Sequence, residues 1–394
     1  MSAQEKKEKI WTKDFVLICL ANFFIFLGFQ MTLPTIPLFV QQLGGSDQFI
    51  GLITGIFTFS ALLLRPTAGH SLETKGRQFV YMIGLGIFVV SIGSYAFITS
   101  IVVLFMMRIV QGLGWGFSTT ATGTIATDLI PKSRRGEGMG YFGLSGNIAL
   151  AAGPVLGLTL YKHISFTLLF LICAALGIVA FLLSSQISYK PVDPEARKVV
   201  TPRFDVMEKS ALRPSLLLFF ITFCFGGIAS FLPLYTDQEG IAGIEAYFLI
   251  YAIFLMITRA FAGQLYDRKG HIAVFIPGAF LIFVAMFLLT WLPNSIVLYI
   301  AAALYGLGFG TVQPALQAWA VNQSPENRKG MANATFFSFF DLGVGIGAIG
   351  FGFIASAFGY MYIYAAGAVS VVISIILYIL LLLKDRKIGQ RELV

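Results

Sequence analysis

Apolar stretches of about 20 residues, the length a helix needs to cross a hydrocarbon core of roughly 30 Å, recur along nearly the whole of this chain. That recurrence constrains the fold more than any other feature, because a backbone in lipid must satisfy its own hydrogen bonds within a helix or a closed barrel. Between polar breaks twelve runs can be read, approximately residues 15–40, 48–69, 79–99, 101–127, 138–161, 165–187, 214–236, 245–266, 272–291, 295–321, 331–358 and 360–383. None alternates apolar and polar residues as a barrel strand would, so helices are predicted. Hydrophobic residues make up 57% of the 394 and charged residues 12%, against about 25% charged in a soluble domain. Too few polar side chains exist to coat a water-facing surface, and the expected fold class is all-α, a polytopic membrane protein of twelve transmembrane helices.

The net charge of +8 would suit a nucleic-acid partner only if the bases formed one patch. Instead they cluster in alternate loops: Lys6 to Lys13, Lys75 and Arg77, Lys132 to Arg135, Lys190 to Arg213, Arg268 and Lys269, Arg328 and Lys329, and Lys384 to Arg391, with Lys162 on the other side. Short cytoplasmic loops retain Lys and Arg, so this is a topology signal and no nucleic acid is expected. Both termini are predicted cytoplasmic, in a plasma membrane of the bacterial inner-membrane type, with the lipid bilayer as the surrounding partner. The first apolar run is too long for a cleaved signal peptide and lacks a small-x-small site, so it is expected to stay in the mature protein. Cys19, Cys173 and Cys224 lie inside helices without CxxC spacing and read as small apolar residues.

The longest polar stretch, 188–213, contains Pro191, Pro194 and Pro202 and reads as a cytoplasmic linker between an N-terminal six-helix bundle, 1–187, and a C-terminal one, 214–394. An offset of 194 relates the two: Arg65 to Arg259, Gly76 to Gly270, Gly112, Gly114 and Gly116 to Gly306, Gly308 and Gly310, Pro131 and Arg134 to Pro325 and Arg328, and Gly153 to Gly347. The register is unbroken from the second helix to the fifth, which points to a duplicated six-helix unit. Parallel repeats of this kind are a transporter design in which substrate binds near the bilayer midplane.

The residues that support the repeat also resemble a known family. Gly69 to Arg77, with Glu73 where an Asp is usual, follows the loop pattern GxxxDRxGR of the major facilitator superfamily, and Gly263 to Gly270, with Asp267 and Arg268, repeats it. Arg108 to Gly112 is similar to that family's RxxQG motif, and Gly153, Pro154 and Gly157 in the fifth helix resemble the antiporter motif of its twelve-helix drug:proton efflux branch. The resemblance implies two pseudo-symmetric six-helix bundles and a cytoplasmic gate at Gly69, Glu73, Arg77, Asp128, Gly263, Asp267 and Arg268, where acids and bases could latch one state. Gly69 and Gly76 suit a tight turn with close helix approach.

Two charges stand out against so apolar a background. Arg108 is expected about 10 Å deep at 1.5 Å per residue, where an Arg must face protein or water; in the resembling family the matching Arg takes part in proton coupling, while outward snorkelling is the structural alternative. Asp341 is expected about 15 Å deep in the eleventh helix, and burial favours its protonated form, which suits a proton carrier. A structural acid bonded to hydroxyls is the alternative. The three histidines fall at loops, which concentrates the case for proton coupling on Asp341.

Helices one, four, seven and ten line the cavity in the resembling family, and there this chain carries Asn22, Gln30, Trp115, Ser118, Thr119, Tyr305, Gln313, Gln317 and Trp319. Aromatics, amides and hydroxyls without an acid cluster suit small amphipathic or neutral substrates. The leading reading is a monomeric, proton-coupled efflux antiporter of such compounds, driven by the proton gradient without a cofactor. An uptake symporter and a lipid or lysolipid flippase are alternatives on the same fold. A membrane enzyme would need a metal spacing, nucleophile motif or phosphate loop, and none is found.

Overall fold

The structure, a computed structural model, describes residues 9–131, 134–189, 191, 207–325 and 328–391. They form twelve helices: α1 (Lys13–Gln42), α2 (Asp47–Thr74), α3 (Arg77–Ser94), α4 (Ile101–Leu129), α5 (Arg135–Tyr161), α6 (Phe166–Ser185), α7 (Leu212–Gln238), α8 (Ile244–Lys269), α9 (Ile272–Thr290), α10 (Ser295–Asn322), α11 (Lys329–Phe358) and α12 (Tyr360–Arg391). Among the described residues no strand occurs, and eleven of the helices are long and apolar enough to cross a membrane. Side chains that a soluble protein would bury lie bare, such as Phe97 at 77% and Trp291 at 72% exposed, and these are faces for lipid.

Two compact units divide the chain, one of residues 1–32 and 60–203, the other of 33–59 and 204–394. The segment 33–59 thus packs with the C-terminal helices. Gly51 and Gly352 bring the backbones of α2 and α11 together, Tyr360 donates to Asp47 Oδ1 at 2.7 Å, and Ser230 donates to Thr54 at 3.2 Å. Pro34 and Pro37 do not end α1, which runs on to Gln42. The helix persists because apolar side chains around them stay buried, although each proline removes a helical N–H.

The repeat is visible in backbone detail. The turns after α2 and α8 each place a glycine in the left-handed region, Gly76 at φ 101° and Gly270 at φ 72°, where a side chain would be strained. In the first unit Gly114 of α4 meets Gly84 of α3, and in the second Gly308 of α10 meets Gly278 of α9; both partners obey the 194 offset. Gly116 against Ala61 and Gly310 against Leu255 are related in the same way. After α4 and α10, Arg134 and Arg328 donate their N–H to Pro131 and Pro325 at 2.9 and 2.8 Å.

Candidate transport site and its charged clusters

In the first unit, Arg108 and Gln111 share one face of α4, three residues apart. Arg108 is 2% exposed and donates from Nη1 to Gln111 Oε1 at 2.6 Å, while the Tyr95 hydroxyl donates to the same oxygen at 2.6 Å. The motif residues therefore bind one another, and Arg108 does not snorkel outward. A buried guanidinium in the membrane needs such partners. The amide is neutral, so this bond solvates the charge without cancelling it.

One turn further along α4 the Trp115 ring stacks on Phe29 of α1, with centroids 4.1 Å apart, and touches Phe26 and Phe88. Asn22 donates from Nδ2 to Ser145 on α5 at 2.9 Å. Gln30 is buried beside Gly153, and Gly157 abuts Met31 of the same helix, so the antiporter-motif glycines flanking Pro154 seat α5 directly on α1. Ser118 and Thr119 both donate their hydroxyls to the Trp115 carbonyl of their own helix, the usual fate of short hydroxyls inside helices, which leaves each oxygen as an acceptor.

The second unit carries a matching wall. Phe309, at the repeat position of Trp115, stacks on Tyr305 at 5.8 Å and on Phe225 at 6.1 Å, and meets Phe340 of α11 at 6.2 Å. Tyr305 is fully buried, and its hydroxyl has no hydrogen-bond partner among the described residues. Asp341 follows Phe340 and is half-buried. Of the glycines after it, Gly343 packs on Thr222 and Phe219, and Gly347 on Phe223, of α7. Gln313 and Gln317 of α10 join a partner that sequence reading did not place in the site: Arg259 of α8 donates from Nη2 to Gln313 Oε1 at 2.8 Å. Its signal was present, an Arg inside an apolar run in repeat register with Arg65. Trp319 goes elsewhere, stacked at 4.3 Å on His271, whose Nδ1 lies 2.7 Å from the Tyr378 hydroxyl. It fills the junction of α9, α10 and α12.

At the ends expected to face the cytoplasm, Arg77 pairs with Asp128 at 3.0 Å and donates from Nη1 to the Leu72 carbonyl, tying the start of α3 to the ends of α4 and α2. Arg134 takes Glu137, one turn on, at 2.8 Å. Gly69 corrects an expectation: it lies within α2, and a Cβ there would meet nothing within 4 Å, so it makes neither a turn nor a close approach. Arg268 is exposed. The side chains of Glu73 and Asp267, and the surroundings of Gly263, lie outside the described residues. Arg328, the repeat partner of Arg134, pairs with Glu208 instead. Glu208 also accepts from the Ser210 hydroxyl at 2.8 Å and gives its own N–H to Thr335 at 2.8 Å. The Ser210 hydroxyl and N–H, with Arg328 behind them, hold its carboxyl below the usual value of 4.5. Its stabilising contribution is present above that value and lost only as pH falls through the lowered one, so the pair is charged at neutral pH.

Comparison with known proteins agrees with this architecture. The profile of the Major Facilitator Superfamily matches residues 18–348 and 294–392. An uncharacterized MFS-type transporter of Methanocaldococcus jannaschii is 28% identical over 84% of this chain and 88% of its own length. From Staphylococcus aureus, the Staphylopine export protein is 23% identical over 78% of this chain and 81% of its own, and the Quinolone resistance protein NorA 24% over 82% and 84%. Among solved structures, a point mutant of the nucleoside transporter NupG superposes with a TM-score of 0.74 at 12% identity, covering 91% of this chain and 97% of that one. The twelve helices, the duplicated turns and the profile match together place this chain in the major facilitator superfamily, as a multi-pass membrane transporter and not an enzyme.

Proposed function

We propose that the protein exports small amphipathic organic molecules in exchange for protons, by alternating access. The observation that carries this reading is the pair of aromatic walls at one repeat position, Trp115 with Phe26 and Phe29, and Phe309 with Tyr305 and Phe225. Broad apolar faces with a few fixed polar groups suit amphipathic ligands. Relatives named for staphylopine export and quinolone resistance support the outward direction. The seating of α5 on α1 by Gly153 and Gly157 supports antiport, through the motif they belong to. We assign proton binding to Asp341, with Arg108 a positioned charge in the other unit, and the proton gradient as the energy source. The gate role of the Arg77 and Asp128 cluster, a monomeric state and a plasma-membrane location with cytoplasmic termini belong to the same proposal.

Transport in proteoliposomes under imposed gradients of either sign tests it. Substrate should move against the proton flux; movement with the protons would make the protein a symporter, and translocation of fluorescent lipid analogues would make it a flippase. Orientation is tested separately. A green fluorescent protein fused to the C-terminus should fluoresce, and an alkaline phosphatase fused there should be inactive in a bacterial host; the reverse pattern would place the terminus outside.

A further inference from the structure

Two donors from different elements close on one acceptor in the first unit. Gln111 Oε1 takes Arg108 Nη1 of its own helix at 2.6 Å and the Tyr95 hydroxyl at 2.6 Å. Tyr95 opens the three-residue turn Tyr95–Phe97 that follows α3, so its hydroxyl reaches the motif from outside the helix that carries it. A carbonyl oxygen has two lone pairs, and both are used. The donors also fix which way the amide faces. A guanidinium can only donate, so turning the Gln111 amide over would set its NH2 against Arg108. The other end of the amide bears the cost: Gln111 Nε2 is buried and has no hydrogen-bond partner among the described residues. A buried donor left unmade is costly, so the two bonds at Oε1 must outweigh it.

The bond between Arg108 and Gln111 does not by itself fix the guanidinium within the fold. The two lie three residues apart on one helix face, and pairs at that spacing form in an isolated helix as well. Both side chains are long and rich in rotamers. Tyr95 is the opposite kind of side chain. Its ring is 1% exposed and meets Phe170 of α6 edge-on at 5.4 Å, and Phe170 stacks in turn on Phe166 at 5.9 Å. A ring with two torsions, held by packing, delivers its hydroxyl to one point. Constraint therefore runs from the end of α3 and from α6 through Gln111 to Arg108, in addition to the other contacts Arg108 makes. Trp115 lies four residues beyond Gln111, so the positioned charge and the aromatic wall share one stripe of α4.

We propose that Tyr95 is a positioning residue for coupled transport: through Gln111 Oε1 it fixes where the Arg108 guanidinium stands on α4, and proton-driven transport depends on that placement. In this assignment Tyr95 carries no proton and touches no substrate. The assignment rests on the part of the proposed function that makes transport proton-coupled with Arg108 as a positioned charge, and not on the direction of transport.

Transport by the full-length protein in proteoliposomes, with ethidium and rhodamine 6G as planar amphipathic probes, tests the assignment; pH-gradient-driven flux and gradient-free exchange are measured on the same preparation. Tyr95→Phe removes one oxygen and keeps the ring against Phe170. It should lower gradient-driven flux by about tenfold or more while the KM of exchange stays within about twofold, a split that loss of folded protein would not produce. Arg108→Gln removes the charge that Tyr95 positions and should lose gradient-driven flux at least as strongly. In the Arg108→Gln background Tyr95→Phe should cost nothing more, because the two side chains act in one path. Gln111→Leu removes the shared acceptor and should repeat the loss, which keeps the test available if Tyr95→Phe fails to fold. Full gradient-driven flux in Tyr95→Phe beside a loss in Arg108→Gln overturns the role of Tyr95 alone. So do losses that multiply in the double variant, or an equal fall of flux and exchange. Full gradient-driven flux in Arg108→Gln, or a wild-type protein that moves neither dye or moves them without regard to the gradient, removes the coupling reading and this inference with it.

Discussion

Asp341→Asn is expected to reduce pH-gradient-driven transport in proteoliposomes to the rate of empty liposomes, while the protein still folds and still exchanges labelled for unlabelled substrate. Asn has the shape of Asp and keeps its hydrogen-bonding capacity, but it cannot take up and release a proton. The site around it is set by other contacts: Phe340 lies against Phe309, and Gly343 and Gly347 lock α11 on α7. Those contacts do not involve the carboxyl, so the substitution should leave them in place, and a cooperative thermal unfolding transition in detergent checks that the variant is folded. Exchange without net proton movement needs only substrate binding and reorientation of the carrier, so it separates a lost coupling group from a lost binding site. Full gradient-driven transport by the variant would remove Asp341 from the mechanism and shift attention to the Arg108, Gln111 and Tyr95 cluster.

Much of this architecture was legible because it follows from local rules. Apolar runs fixed the twelve helices, and the 194 offset identified the glycine pairs that prove to be helix crossings and left-handed turns. Arg108 with Gln111 was readable as a motif, since residues three apart share a helix face. Groupings that depend on separation in the chain were not legible. Arg259 and Gln313 are 54 residues apart and meet only because Gly306 and Gly310 let α10 press on α8. Glu208 reads as one more charge in a polar linker until Arg328, 120 residues away, is found on it. The hydroxyls of Ser118 and Thr119 are hard to read for a different reason. A sequence shows that a hydroxyl is present, but not that the carbonyl one turn back already holds it. Trp319 shares α10 with the aromatic wall yet points to His271, because two residues beyond Gln317 is nearly the opposite face.

Glycine substitutions separate the two kinds of motif residue by effect. Gly308→Ala should destabilise the protein severely, because the added Cβ would sit 2.5 Å from the Gly278 carbonyl oxygen and 3.0 Å from the Ile282 nitrogen. Both are helix backbone and cannot swing aside as a flexible side chain could, so α9 and α10 must separate along their contact. Overpacking of this sort costs about 1–3 kcal/mol or more, and in α10 it would also disturb Phe309 and the aromatic wall it belongs to. Gly114→Ala should do the same to the first unit, where the Phe88 nitrogen and the Gly84 oxygen lie 2.8 and 2.9 Å from the added atom. Gly69→Ala provides the contrast. Gly69 opens the family's loop pattern, yet it is helical and has open space around it, so alanine should be neutral or stabilise by about 0.5–1 kcal/mol through helix propensity. Thermal unfolding in detergent, read by fluorescence-detected size exclusion, would rank the three. Collapse of Gly69→Ala with survival of Gly308→Ala would mean that the glycines at the helix crossings are not what holds each unit together. If Gly69→Ala unfolds normally but transports poorly, the loop glycine acts in the conformational cycle, where a contact absent from this state forms against it.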